Sequence, residues 1–272
     1  MRNLFVSLSA ATIATACAGG SAGPVFEYGP SEAPLRYEIS GSTESVIETP
    51  MGSQNQGGTV SATVTVEIGA QAAGGRNVIV VYEALESSGA GIGRLEGGDL
   101  IGQPFVGVVD NSGKMTFTEV PPTPTRLGNY FDPGAFLSQL LMPLPPAGGG
   151  EVGSWPVHQE VTERTEMTVT SMFDGTARVV GDTVWNGITA KVIVLEGEFQ
   201  MEGSGAPTGS PAELDIIASG PGTTTYIWDA ATGVMLASSA EGEGTGTVDI
   251  PSMDMSLPLT MSSKQTIELQ NR

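Results

Sequence analysis

The sequence predicts a mainly β protein built on antiparallel sheet. Residues 60–68 (VSATVTVEI) alternate apolar and polar side chains, which is the period of a half-buried strand. Further short runs rich in Val, Ile and Thr are separated by turn sequences such as DNSG at 110–113. One segment, near residues 132–142, carries helix signals.

The first half of the chain reads as a meander of strands. A strand beginning at Tyr37 and Ile39 continues through Val46 and Ile47, and a loop is expected over 52–58. Further strands are expected at 60–68, 77–85, 104–109 and 114–120, the last two forming a hairpin around DNSG.

The helix signals begin at Asp132, whose side chain can cap a helix, and Pro133, which suits its first position. Pro143 and the prolines that follow it end the helix. The glycines at 148–150 then suggest a connector between two halves.

Strands resume after the connector, over 160–171, 176–184, 188–201, 223–229, 233–239, 245–250 and 262–269. The parity of apolar positions changes near Gly197, which predicts a bulge there. The hairpin sequences 102–120 and 222–240 are similar, which leaves open that the second half repeats the first.

These signals divide the chain into five parts. They are a signal peptide (1–16), a lipidated cysteine with a flexible tether (17–33), an N-terminal β half (34–125), a helix and Pro/Gly-rich connector (126–150) and a C-terminal β half (151–272).

The N-terminus carries the clearest signal of where the protein is located. After Met1-Arg2-Asn3, residues 4–16 form a 13-residue apolar stretch, too short for a membrane span, which needs roughly 20 residues. The sequence IATAC at 13–17 resembles the lipobox of bacterial lipoproteins. The resemblance implies that Cys17, the single cysteine, is lipidated and anchors the chain to a membrane.

Because Ala18 is not Asp, similarity to the enterobacterial sorting rule implies the outer membrane. The alternative is a secreted protein with an incidental thiol.

Composition limits the partners. The chain has 11 basic and 30 acidic residues, a formal net charge of −19. A nucleic-acid partner is excluded because few cations are present to neutralise phosphates. Anionic head groups would repel this body, so membrane attachment is expected through the lipid anchor alone.

The body carries a second resemblance. A leucine-containing helix ending in Leu144-Pro145, the segment Gly153-Ser154-Trp155, and Gly187 before a long strand are similar to a group of uncharacterised exported bacterial proteins. The resemblance covers 136–199 and implies a lipoprotein-carrier type of half-barrel, a curved antiparallel sheet around a helix. It implies no catalytic residues.

Recognisable catalytic and metal-binding sets are absent from the sequence. His158 is the only histidine and Cys17 the only cysteine, so neither a Ser-His-Asp triad nor a zinc site is expected. Met253, Met255 and Met261 are read as packing residues rather than as a copper site. No cofactor or metal is expected, and the protein is predicted not to be an enzyme.

The preferred function is therefore a lipid-anchored, non-catalytic envelope protein that binds an apolar ligand or another envelope component. Five apolar residues are candidates to line a ligand cavity: Phe136, Leu140, Trp155, Trp185 and Trp228. The alternative is a hydrolase of cell-wall or glycan material that uses two carboxylates about 5–10 Å apart. A core that is filled by side chains and has no cavity would indicate a structural or interaction role instead.

Overall fold

The computed structural model describes residues 26–89, 93–146, 153–206 and 212–270. Within these ranges the chain forms twelve strands and two short α-helices, and every strand pairing is antiparallel. The predicted mainly β class is confirmed. The strands are β1 (Leu35–Thr49), β2 (Gly52–Ala72), β3 (Gly75–Gly89), β4 (Gly93–Glu96), β5 (Pro104–Val109), β6 (Met115–Glu119), β7 (Ser154–Arg164), β8 (Met167–Trp185), β9 (Ile188–Gly205), β10 (Leu214–Asp229), β11 (Val234–Ile250) and β12 (Met255–Leu269).

The two halves of the chain form one sheet. Its strand order is β6-β5-β3-β2-β1-β12-β11-β10-β9-β8-β7, with β4 paired to β3. The first and last strands meet in the middle, where Ile39 pairs with Ile267. The sheet is open, with β6 and β7 as its edges.

Side-chain alternation produces the long strands. In β2 the even positions from Ala62 to Ile68 are buried, as the sequence pattern predicts. The prediction of a loop over 52–58 is wrong, because β2 begins at Gly52. The first residues of this strand pair with β1 from Thr49↔Gly52 onwards, so an ordered partner strand supplies hydrogen bonds that the local sequence does not indicate.

The helical segment is shorter than predicted. Helix α1 covers Thr125–Gly128, which was not predicted, and helix α2 covers Pro133–Ser138. The predicted cap is confirmed, since the Asp132 side chain accepts hydrogen bonds from the backbone N–H groups of Gly134 and Ala135. Helix α2 contacts both edge strands, β6 and β7, and so lies across the opening of the sheet.

The predicted bulge near Gly197 is wrong. Strand β9 pairs without a register shift through Gly197 on both of its sides. The shift lies on the facing strand β8, between Val179 and Gly181. The buried positions of β9 change from even to odd between Ala190 and Ile193, next to this shift, and Gly197 continues the odd series.

The buried side chains form two clusters on the sheet. The larger one includes Tyr37, Val64, Leu137 and Trp228, and it contains the residues around helix α2. The smaller one is built on Ala218, Val248, Leu257 and Leu259, towards the other end of the long strands. No helix of the described part of the chain is both long enough and apolar enough to cross a membrane.

The two similar hairpins occupy different places. The β5–β6 hairpin lies at one edge of the sheet, whereas β10 and β11 lie inside it. Internal duplication therefore remains a prediction from the sequence.

Candidate functional site

A cavity of about 300 Å³ lies on the inner face of the C-terminal half of the sheet. Strands β7 to β12 contribute its floor and walls, and Gln139 and Leu140, just after helix α2, contribute to its lining. Its volume is at the lower end of the range typical of small-molecule sites. The cavity is bordered by both clusters, because it touches Ile267 of the larger and Met201 and Met261 of the smaller.

A row of glycines crosses four strands at the level of the cavity, and two of them, Gly222 and Gly242, line it. Gly175 pairs with Gly197, Gly197 with Gly222, and Gly222 with Gly242, so four neighbouring strands carry glycine at the same level. We call these four residues the glycine row. A Cβ at Gly197 would lie 2.5 Å from Cα of Gly175, so the backbones approach too closely there for any side chain.

Two phenylalanine rings cover the glycines. A Cβ at Gly175 would lie 2.6 Å from Cε1 of Phe173, and one at Gly244 would lie 2.5 Å from Cζ of Phe199. Phe173 and Phe199 face each other across β8 and β9, and both line the cavity. They provide apolar surface against which a ligand can pack.

The remaining wall combines apolar and uncharged polar side chains. Gln159, Gln265 and Ser238 offer hydrogen-bonding groups among the apolar residues. Tyr226 also lines the cavity, and burial raises the pKa of its hydroxyl far above the ordinary value. Tyr226 is therefore neutral at any physiological pH.

Among the described residues, one charged residue borders the cavity. Glu241 is the one Asp, Glu, Lys or Arg among the described residues that border the cavity. Its carboxylate lies 3.4 Å from Nζ of Lys264, and both side chains are about two-thirds exposed. The inward positions beside them are Ala240, Gly242 and Gln265, all of which line the cavity.

Of the five candidate cavity residues, Leu140 lines this cavity and is buried. Phe136 lies one turn earlier, in α2, and its ring packs against Phe131 with the two centroids 5.2 Å apart. Phe136 therefore supports the helical segment that places Leu140 at the cavity.

The three tryptophans lie in the larger core cluster. Trp228 is fully buried, and Trp155 is 2% exposed. Phe26 joins them, with ring centroids 5.3 Å from Trp155 and 6.4 Å from Trp228. Trp185 is partly buried against the same cluster. None of the three is among the described residues that line the cavity.

Sequence reasoning missed the glycine row and the two phenylalanines above it. The signal was present in β9 and β11, where LEGEF at 195–199 and AEGEG at 240–244 place glutamate and glycine in alternation. Glutamates at every second position indicate the wet face, so the glycines must lie on the inner face.

Other predicted chemistry is placed as follows. Cys17 lies outside the described residues. Nδ1 of His158 lies 2.7 Å from Oδ1 of Asp174, and both side chains are more than 60% exposed on strands β7 and β8. No cluster of three or more His, Cys, Asp or Glu suited to a metal occurs among the residues described.

Comparisons with known proteins identify no family for this chain. No protein-family model and no curated protein matches the chain. Among solved structures it resembles Neisserial surface protein A at 8% identity and a TM-score of 0.25, over 86% of this chain and 97% of that one. DynF, from the dynemicin biosynthesis pathway of Micromonospora chersina, matches at 10% identity and a TM-score of 0.28, over 94% and 88%. An outer membrane lipoprotein-sorting protein domain from Vibrio parahaemolyticus matches at 9% and 0.14, over 86% of each chain. TM-scores this low support no inference about what this chain does.

Proposed function

We propose that the chain is a lipid-anchored protein of the bacterial cell envelope that holds a small, largely apolar ligand without transforming it. The observation that carries the binding role is the cavity beside Leu140, in whose lining Gly222 and Gly242 add no side chain. The observation that carries the location is the lipobox-like sequence ending at Cys17. The outer membrane is the proposed membrane.

The cavity suits binding for a physical reason. Phe173, Phe199 and Met201 present apolar surface that water solvates poorly, so a ligand that covers them gains the free energy of apolar burial. Methionine adapts its shape to irregular ligands, and Met261 adds to this part of the wall.

The alternative, a carboxylate-dependent hydrolase, stays a prediction from composition. Its strongest support is the neighbourhood of Asp132 and Glu163, where burial and then the charge of Asp132 raise the pKa of Glu163. Asp132 is already used in structure: Oδ1 accepts from the N–H groups of Gly134 and Ala135, and Oδ2 accepts from that of Arg164 at 3.2 Å. Binding is the better-supported function.

The binding role is tested by titrating the full chain carrying Cys17→Ala with the neutral fluorophore N-phenylnaphthylamine. Ala240→Leu places a larger side chain in the cavity, whereas Ser239→Leu adds a similar group on the outer face one residue away. We expect saturable binding that Ala240→Leu weakens at least tenfold and that Ser239→Leu leaves unchanged. Equal affinity of the two variants, or no saturable binding by the parent chain, would contradict the proposal.

A further inference from the structure

The cavity separates polarity from charge. Its wall contains amides and hydroxyls, including Gln159, Gln265 and Thr224, together with aromatic and thioether groups. Glu241, the one Asp, Glu, Lys or Arg among the described residues of the wall, is turned towards Lys264 on the other face. This separation exists in a chain with 30 acidic residues and a net charge of −19.

Strand alternation maintains the separation along each strand. In β11 the side chains of Glu241 and Glu243 are exposed. The alternate residues Ala240, Gly242 and Gly244 lie on the inner face. In β9 the exposed residues Glu196 and Glu198 likewise flank Gly197. The sequence therefore places carboxylates on strands that form the cavity, and of these four glutamates only Glu241 borders it.

Among the described residues of the wall, an anionic ligand would find no counter-charge and a cationic ligand would find only the exposed carboxylate of Glu241. Removing an unpaired ion from water costs much more free energy than removing a neutral polar group, which recovers most of its cost through hydrogen bonds. The net negative charge of the protein adds repulsion for an anion and long-range attraction for a cation. The expected order of affinity is neutral, then cationic, then anionic.

We infer that the cavity selects an uncharged amphiphile, a small ligand with an apolar body and neutral hydrogen-bonding groups, and rejects its ionised analogues. The inference rests on the proposed binding function and specifies the ligand class for the same cavity. The apolar body packs on Phe173 and Phe199, and the neutral polar groups meet the amides of Gln159 and Gln265.

The test compares three probes with a linear ten-carbon chain: decanol, decyltrimethylammonium and decanoate, in which the tenth carbon is the carboxylate. Each displaces N-phenylnaphthylamine from the full chain carrying Cys17→Ala, at low and at moderate salt. We expect decanol to bind at least tenfold more tightly than either ion, with decanoate the weakest. Decanoate or the cation binding as tightly as decanol would overturn the inference and leave the binding function intact. Failure of every probe, including the fluorophore, would overturn the binding function and the inference together.

A charge placed in the cavity provides the second arm. Gln265→Lys puts an ammonium group on the inner face, and Thr266→Lys puts the same group on the exposed outer face of the same strand. We expect Gln265→Lys to tighten decanoate binding at least tenfold and to weaken decanol binding, with Thr266→Lys changing neither ratio. Gln159→Lys, on edge strand β7, repeats the test if Gln265→Lys does not fold. Unchanged selectivity in a folded inner-face variant would contradict the inference.

Discussion

The ring of Phe173 on β8 covers Gly222 on β10, two strands away in the sheet. A methyl group at Gly222 would lie 3.0 Å from Cε2 of Phe173, and one at Gly175 would lie 2.6 Å from Cε1 of the same ring. One ring therefore spans the level at which β8, β9 and β10 all carry glycine. Glycine at this level allows the backbones of neighbouring strands to approach closely and leaves room over Gly222 for the ring of Phe173.

We predict that Gly197→Ala destabilises the protein by about 1–3 kcal/mol, because the new methyl group has no free space. It would fall on the carbonyl oxygen of Asp174 and 2.5 Å from Cα of Gly175, and both are backbone atoms. Gly181→Ala is the matched control in a neighbouring strand, since nothing lies within 4 Å of its Cβ position. Urea unfolding followed by circular dichroism measures both variants. Equal midpoints for the two would show that the glycine row is not closely packed.

The sequence was sufficient to predict the β class, the turn at 110–113 and the Asp132 cap, because each depends on residues close together in the chain. It was insufficient for the placement of the cavity. The covering of Gly222 by Phe173 depends on the register of three strands, and local alternation does not fix which residue of the next strand lies opposite.

The start of β2 shows the same limit. Gly52 to Gly58 reads as a loop because glycine and polar residues dominate, yet β1 pairs with it residue by residue. Tertiary pairing overrides local propensity here, as is common in sheets. The tryptophans illustrate a further limit, because apolar size alone does not distinguish a residue that fills a core, such as Trp228, from one that borders a cavity.

A second prediction concerns the attachment of helix α2. The hydroxyl of Tyr82 on β3 donates a hydrogen bond to the carbonyl oxygen of Pro133, at 3.1 Å, and both residues are buried. Tyr82→Phe leaves that carbonyl without this donor, so we expect a loss of about 1–2 kcal/mol in the free energy of unfolding. Tyr130→Phe, at a position that is 38% exposed, should change it by less than about 0.5 kcal/mol. Chemical denaturation distinguishes them, and similar losses in both variants would argue against this attachment.

A third prediction concerns the anchor. If Cys17 is lipidated, the mature N-terminal peptide from membrane fractions carries a diacyl or triacyl mass on this residue, and Cys17→Ala releases the protein to the soluble fraction. Ser21→Ala, in the same tether, should remain in the membrane fraction with its acyl mass unchanged. Mass spectrometry of both fractions gives the result. An unmodified Cys17 in the wild-type protein would remove the anchor and leave a secreted protein with a free thiol.

A fourth prediction concerns pH. Burial, followed by the charge of Asp132, raises the pKa of Glu163 in the folded protein. A folded-state pKa above the unfolded value means that the folded protein binds the proton more tightly, so this group lowers stability as pH rises from the unfolded pKa through the folded one. Glu163→Gln removes that loss. We expect the variant to melt on the order of a few °C higher than wild type at pH 7, and the gain to vanish below about pH 4, where Glu163 is protonated in both the folded and the unfolded protein.

The matched control is Glu160→Gln, three residues earlier on β7 at an exposed position. It removes the same formal charge from the same strand, so it separates the local effect of burial from the general relief of negative charge in a chain at −19. Melting curves of wild type and both variants between about pH 4 and pH 8 make the comparison. If Glu160→Gln raises the melting temperature as much as Glu163→Gln does, the effect comes from the net charge of the protein. The burial of Glu163 beside Asp132 would then add no destabilisation of its own. If only Glu163→Gln raises the melting temperature, and only above the ordinary titration range of glutamate, the ionised carboxylate of Glu163 destabilises the folded protein at that position.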